Sequence, residues 1–217
     1  SGGPITQDNT GVEYYSTLFA ASESKLSDGE IWVGSDDGLV HLTKNGGDSW
    51  DDITPIQAPK SLMINSIESA YFVSGKAYIA GTSYKTGDFN PYRYKTNDYG
   101  KSWKKITSGI KDGNLSYTRF IKEDPNKKGL LYLGTENTLY ISYDDGEKWN
   151  SMMSNLPPAP MYWIDIQEHF NDLVIGTYGR GIWILDDISP LQQMNKSVEE
   201  KDMHLFNSKQ SYHCLLY

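Results

Sequence analysis

Three copies of one eight-residue pattern constrain the fold of this chain more than anything else in it. They are Thr43-Lys44-Asn45-Gly46-Gly47-Asp48-Ser49-Trp50, Thr96-Asn97-Asp98-Tyr99-Gly100-Lys101-Ser102-Trp103 and Ser142-Tyr143-Asp144-Asp145-Gly146-Glu147-Lys148-Trp149, at spacings of 53 and 46 residues. Each reads Ser/Thr-x-Asp/Asn-x-Gly-x-x-Trp, which suits a tight turn between antiparallel strands locked from within. The side-chain oxygen of Asn45, Asp98 or Asp144 can accept backbone N–H groups of its own turn. Gly47, Gly100 and Gly146 can adopt the positive φ that other residues resist. Trp50, Trp103 and Trp149 are then expected to re-enter the apolar layer as large anchors.

A second pattern precedes each octet: an apolar run ending in Gly-Ser or Gly-Thr, at Gly34-Ser35, Gly81-Thr82, Gly134-Thr135 and Gly176-Thr177. The fourth copy has no full octet after it, so the chain carries four units. The glycines are 47, 53 and 42 residues apart, a period that points to propeller blades. Within one unit the spacing predicts strands over Ile67 to Phe72, Ala77 to Gly81, Tyr92 to Thr96 and Trp103 to Ile106, a four-stranded meander. The fold class expected is all-β: a propeller of four-stranded antiparallel blades over about 13–53, 65–106, 117–152 and 162–188, forming part of a larger propeller. Residues 189–217 form a tail that could close a blade, with a polar helical stretch from Leu191 to Lys201.

Composition supports strands joined by turns: the 217 residues are 13% aromatic, with 16 Tyr and 20 Gly. A formal charge of −8 argues against a nucleic-acid partner, because phosphate binding needs a basic face. No apolar run approaches the roughly 18 residues of a membrane span, and no signal peptide opens the chain. The start at Ser1-Gly2-Gly3-Pro4 reads either as an artificial boundary or as a loop inside a larger protein. The lone cysteine, Cys214, excludes disulfides within the chain and leaves the compartment open.

The meander sorts candidate site residues by geometry. Successive hairpins turn at opposite ends of a sheet, so the octets share one face and the second-to-third-strand turns share the other. The latter face receives Asp36, Asp37, the Ser83 to Pro91 loop with Tyr84, Asp88 and Phe89, then Glu136, Tyr178 and Arg180. Loops longer than a tight turn carry most of a scaffold's function, so the site is expected there. Glycoside hydrolysis needs two carboxyl groups about 5 to 10 Å apart. The catalytic candidates are Asp36, Asp37, Asp88 and Glu136, with the alternative that these acids only stabilise turns. Tyr84, Phe89, Tyr92, Tyr178 and Trp163 offer flat faces on which a ligand can stack. Arg180, between two glycines, could clamp a carboxylate or pair with Asp186.

Other chemistries find no footing. Arg93, Arg119 and Arg180 are too few and too differently placed for a sialidase triad. The histidines have no metal-ligand spacing and no phosphate loop opens a helix, so neither metal nor cofactor is expected.

The octets resemble Asp-boxes, and the chain resembles the Asp-box (BNR-repeat) β-propellers of sialidases, xyloglucan-cleaving glycoside hydrolases and the sortilin ectodomain. It is most similar to the C-terminal part of large bacterial secreted proteins of sortilin-like or glycosyl-hydrolase-like type. Besides the octets, the phrases that carry this are Gly34-Ser35-Asp36-Asp37-Gly38, Asp88-Phe89-Asn90-Pro91-Tyr92, Glu123-Asp124-Pro125, Asn155-Leu156-Pro157 and Gly176 to Asp187. Asn45 in place of Asp, and Ile188-Ser189-Pro190 in place of a fourth octet, depart from the pattern. The resemblance implies an extracellular or periplasmic binding or scaffold module that recognises a protein, peptide or glycan alongside the rest of a larger propeller. The alternative it leaves open is part of a xyloglucanase-like glycoside hydrolase.

Overall fold

A computed structural model describes residues 16–110 and 113–207. Their strands form four antiparallel sheets, each a meander in chain order. The first holds β1 (Leu18–Glu23), β2 (Ile31–Ser35), β3 (Val40–Thr43) and β4 (Asp51–Asp52). The second holds β5 (Met63–Ser69), β6 (Ala77–Ser83), β7 (Asp88–Thr96) and β8 (Lys104–Lys105). The third holds β9 (Thr118–Glu123), β10 (Leu131–Thr135), β11 (Leu139–Ser142) and β12 (Asn150–Ser151), and the fourth β13 (Met161–Gln167), β14 (Asp172–Thr177) and β15 (Ile182–Leu185).

The sheets pack face to face in series, first on second, second on third, third on fourth. A strand in the middle of such a stack is covered on both faces and loses the polar alternation of a half-buried strand. Every residue of β6 and β10 is accordingly buried. In β13 and β15 exposed residues recur, Trp163, Ile182 and Ile184 among them, because only the face toward the third sheet is covered.

The octet turns repeat one set of bonds. The hydroxyl of Thr43, Thr96 or Ser142 donates to Asn45, Asp98 or Asp144 at 2.8 Å and accepts the N–H of Gly47, Gly100 or Gly146. The same Asn or Asp oxygen accepts the N–H of Ser49, Ser102 or Lys148. The Ser/Thr hydroxyl is thus as central to the turn as the acid. Gly100 has φ +78°, and a Cβ there would lie 2.6 Å from Ile53 of the preceding sheet.

Two expectations need correction. The octet tryptophans are not equal anchors: Trp149 is 1% exposed and its indole N–H donates to Ile106 O, and Trp103 is partly buried with its indole N–H on Ile53 O. Trp50 is 44% exposed. Each buried tryptophan rests on the preceding sheet, and among the described residues none precedes the first.

The glycine period also slips by one residue in the second sheet. Gly34, Gly134 and Gly176 pair with Ala20, Phe120 and Trp163, whereas Ser66, their counterpart, pairs with Ala80 and not Gly81. The position calls for a small residue because the next sheet lies against it, and a Cβ on Gly34 would stand 2.4 Å from Ile64. Alanine meets that need in the second sheet.

The innermost strands enclose a cavity of about 480 Å³. On one rung sit Ser22, Glu68, Lys122 and Asp165, paired with Trp32, Tyr78, Tyr132 and Val174. Lys122 Nζ stands 3.3 Å from Glu68 and 3.6 Å from Asp165, tying three sheets together. Burial pushes the Glu68 carboxyl up to about 7, against the pull of Lys122.

Among the described residues, the chain after β15 does not turn back into a fourth strand. Ile188 bonds to Asn171 O as Gly46, Tyr99 and Asp145 bond to Gly29, Gly75 and Gly129, but Pro190 then starts the helix α1 (Ser189–Gln193). A second helix, α2 (Lys196–Glu199), is capped by Asn195, so the expected helical stretch is split in two. The rest of the expected 189–217 tail, residues 208–217 with Cys214, lies outside the described residues.

Candidate functional site

Each inner strand carries a register shift at the same level, and the extra residue is Phe19, Asn65, Arg119 or Tyr162. A bulge re-aims the side chain it inserts. All four line one cavity of about 270 Å³ at the second-to-third-turn end, with Met63, Tyr84, Lys85, Phe120 and Trp163.

Arg119 organises this mouth. Its Nε donates to Glu136 at 2.7 Å, and its guanidinium lies over the rings of Tyr84, Tyr117 and Tyr162 at 5.1, 4.9 and 4.7 Å. Burial alone would lower the Arg119 pKa, but Glu136 more than offsets that and holds it raised. Burial and Glu136 push the Tyr117 phenol up to about 12, so it stays a neutral donor.

Aromatic rings extend outward from the arginine. Tyr84 stacks on Tyr117 at 5.5 Å, Phe89 tilts against Tyr117 at 5.9 Å, Phe120 meets Trp163 at 4.5 Å and Tyr162 meets Tyr178 at 5.6 Å. Trp163 and Tyr178 are 61% and 72% exposed, a large outlay of apolar surface on a solvent-facing rim.

Of the residues singled out from sequence, Tyr84 and Trp163 line the cavity, while Phe89 and Tyr178 adjoin it through Tyr117 and Tyr162. Tyr92 is turned to its own strand, where its hydroxyl donates to Asp88 at 2.5 Å. Burial and that bond push the Tyr92 phenol up to about 12.

The four carboxylates are occupied locally. Asp36 accepts the backbone N–H of Ser16 and Thr17 at 2.9 and 2.8 Å. Asp37 accepts the hydroxyls of Ser16 and Ser35, which against the cost of burial hold it below the usual range. Asp88 accepts Asn90 N–H as well as Tyr92, and its pKa too is lowered although burial works the other way. Glu136 is paired to Arg119.

Arg180 is exposed and its carbonyl takes the Trp183 indole N–H. It makes none of the ion pairs found among the described residues, so the expected pairing with Asp186 is not formed. Among the described residues no three His, Cys, Asp or Glu side chains come together in a group able to hold a metal ion.

Arg119, Tyr117 and Tyr162 were not foreseen as site residues. Arg119 and Tyr162 are the residues skipped at the register shifts and Tyr117 stands two before one, a relation visible only once the strands are paired.

No family profile matches the chain. It is 33% identical over 115 residues to the oligoxyloglucan-reducing end-specific xyloglucanase of Emericella nidulans, covering 49% of this chain and 13% of that protein. It is 39% identical over 67 residues to vacuolar protein sorting/targeting protein 10 of Pyrenophora tritici-repentis, covering 31% of this chain and 4% of that one. The chain therefore spans only a small part of the curated relatives it matches. Among solved structures, the GH74 xyloglucanase from Xanthomonas campestris superposes with a TM-score of 0.62 at 17% identity, over 79% of this chain and 28% of that one. YCF48 bound to D1 peptide superposes with a TM-score of 0.57 at 18% identity, over 79% and 52%. These likenesses establish the fold. The four sheets are blades of a β-propeller. Among the described residues, no helix of this propeller is long and apolar enough to cross a membrane.

Proposed function

We propose that this chain is an Asp-box propeller module of a larger exported protein, and that it binds a protein, peptide or glycan at the mouth lined by Phe19, Asn65, Arg119 and Tyr162. The observation that carries this reading is the contrast within one face. Every candidate carboxylate is spent on a local bond, while Tyr162 beside Arg119 and the neighbouring Trp163 and Tyr178 stay open to solvent. An acid already serving as acceptor for turn N–H groups, or as counter-ion to a caged arginine, is poorly placed to protonate a leaving group or to attack a sugar. Exposed tyrosine and tryptophan on a rigid sheet edge suit recognition instead, because they bring large contact area at small entropic cost. The relatives frame the ligand classes: one is named for an action on xyloglucan, and one solved neighbour was seen with a peptide.

A second reading is supported by the alignment to the xyloglucanase: this chain forms one wall of a polysaccharide cleft whose acids lie elsewhere. Titrations with xyloglucan oligosaccharides and a peptide library, alongside a reducing-end assay, separate the two. The binding reading expects saturable binding without turnover, and Tyr162→Ala or Trp163→Ala weakening it about tenfold or more, equivalent to about 1.4 kcal/mol. Turnover abolished by Asp88→Asn or Glu136→Gln would establish the hydrolase instead.

A further inference from the structure

Among the described residues, the fourth sheet has an open edge beside an apolar socket that none of them fills. In the third sheet, Trp149 fills the space between sheets, packed in one cluster with Ile106, Leu131 and Leu133 and against Tyr140. The fourth sheet reproduces the walls of that space. Met152 takes the place of Ile106, since its N–H bonds to Leu139 O as that of Ile106 bonds to Arg93 O. Ile175 pairs with Trp183 as Leu133 pairs with Tyr140. No tryptophan follows, because the chain has left for α1. What remains is a cavity of about 290 Å³ lined chiefly by Met152, Met153, Leu156, Ile175, Trp183 and Leu191. The backbone of β15 runs along it without a partner on its outer side among the described residues. An unpaired edge next to an apolar groove is the arrangement that takes an added strand, main chain to main chain, with a large side chain in the groove.

We propose that residues 208–217 of this same chain dock along β15 as the missing outer strand and fill the socket. The last described residue is tied to α1, the helix that carries Leu191 of the socket lining. Asn207 N–H donates to Gln193 Oε1 at 2.9 Å and Asn207 O accepts from Gln193 Nε2 at 3.0 Å. Gln193 is two residues from Leu191, which lines the socket. Ten further residues reach at most roughly 33 Å when extended, ample for a strand alongside β15. Their sequence, Ser208-Lys209-Gln210-Ser211-Tyr212-His213-Cys214-Leu215-Leu216-Tyr217, sets Tyr212, Cys214 and Leu216 on one side of an extended chain. Such a side suits the apolar wall, with Tyr212 as the anchor that Trp149 supplies one sheet earlier.

The full chain carries its own test. In the variant Tyr212→Ser with Leu216→Ser, the Trp183 indole N–H and the Met152 and Met153 methyl resonances are expected to move, and the melting temperature to fall. Unchanged resonances and melting would overturn the proposal. A nitroxide on Cys214, the only cysteine, then reports whose segment fills the groove. Broadening of β15 amides is expected when label and isotope share one chain. Equal broadening when they are on separate, mixed chains would overturn docking by the chain's own segment in favour of a second copy.

Discussion

At the residue scale, the eight-residue turn and its tryptophan do different work. The turn is self-contained: hydroxyl, carboxylate or amide oxygen, and three backbone N–H groups close on one another inside eight residues, so it is as well formed in the first sheet as in the third. That is why it was legible from sequence. The tryptophan depends on a neighbour, and no local pattern shows whether a preceding sheet is there. Trp149→Ala, which empties a fully enclosed site and removes one of the two donors to Ile106 O, the other being Arg93 Nε, is expected to cost about 3–5 kcal/mol. Trp50→Ala is expected to cost about 1 kcal/mol or less, as a half-exposed side chain should. Urea denaturation of the two variants checks this, and equal losses would mean that both tryptophans are buried alike.

At the element scale, the stack is held by charge as well as by apolar packing. Asp145 accepts Lys76 and Lys95 at 2.6 and 2.9 Å and the Tyr78 hydroxyl at 2.6 Å, joining the second sheet to the third, while Lys122 joins Glu68 to Asp165. Glu68 gives the second tie a pH signature. Its carboxyl is pushed from 4.5 to about 7 by burial and, less, by Glu123, with Lys122 opposing. A folded-state acid that holds its proton more tightly than in the unfolded chain stabilises the fold below pH 4.5. That contribution fades as pH rises through 7, by an amount on the order of 3 kcal/mol. Glu68→Gln is therefore expected to gain on the parent protein between pH 5 and 8, read as the difference between their unfolding free energies. A constant difference across that window would show that Lys122 keeps Glu68 ionised throughout.

The strands themselves were legible at this scale, since apolar runs ending in a small residue announce the second strand of each sheet. The register was not. Gly81 resembles its counterparts in sequence, yet Ala80 holds their place, because the bulge at Asn65 is set by the pairing of two strands rather than by either alone.

At the scale of the whole molecule, the same bulges account for what sequence could and could not show of the site. The second-to-third-turn face follows from strand alternation, and Tyr84, Phe89, Trp163 and Tyr178 were placed on or beside it. Arg119 was passed over because a residue inside a strand gives no sign that a bulge will aim it at a cavity shared by four sheets. Asp36, Asp37 and Asp88 drew attention as paired or loop acids, yet Asp36 and Asp37 are held by Ser16 and Thr17 on the segment entering β1 and Asp88 by Tyr92 of its own strand, and that is packing information. If the mouth is a recognition surface held by Arg119, then Arg119→Lys, which keeps the charge but loses the planar stack on three tyrosines, should weaken ligand binding while leaving the octet turns intact.

The most direct test of the account is chemical-shift mapping on the isotope-labelled chain, titrated in turn with xyloglucan oligosaccharides and with peptides. The account predicts that a ligand moves the side-chain resonances of Trp163, Tyr162 and Arg119 and leaves the ligand chemically unchanged. Shifts confined to the octet face around Asp98 and Asp144, or cleavage of the oligosaccharide during the titration, would contradict it.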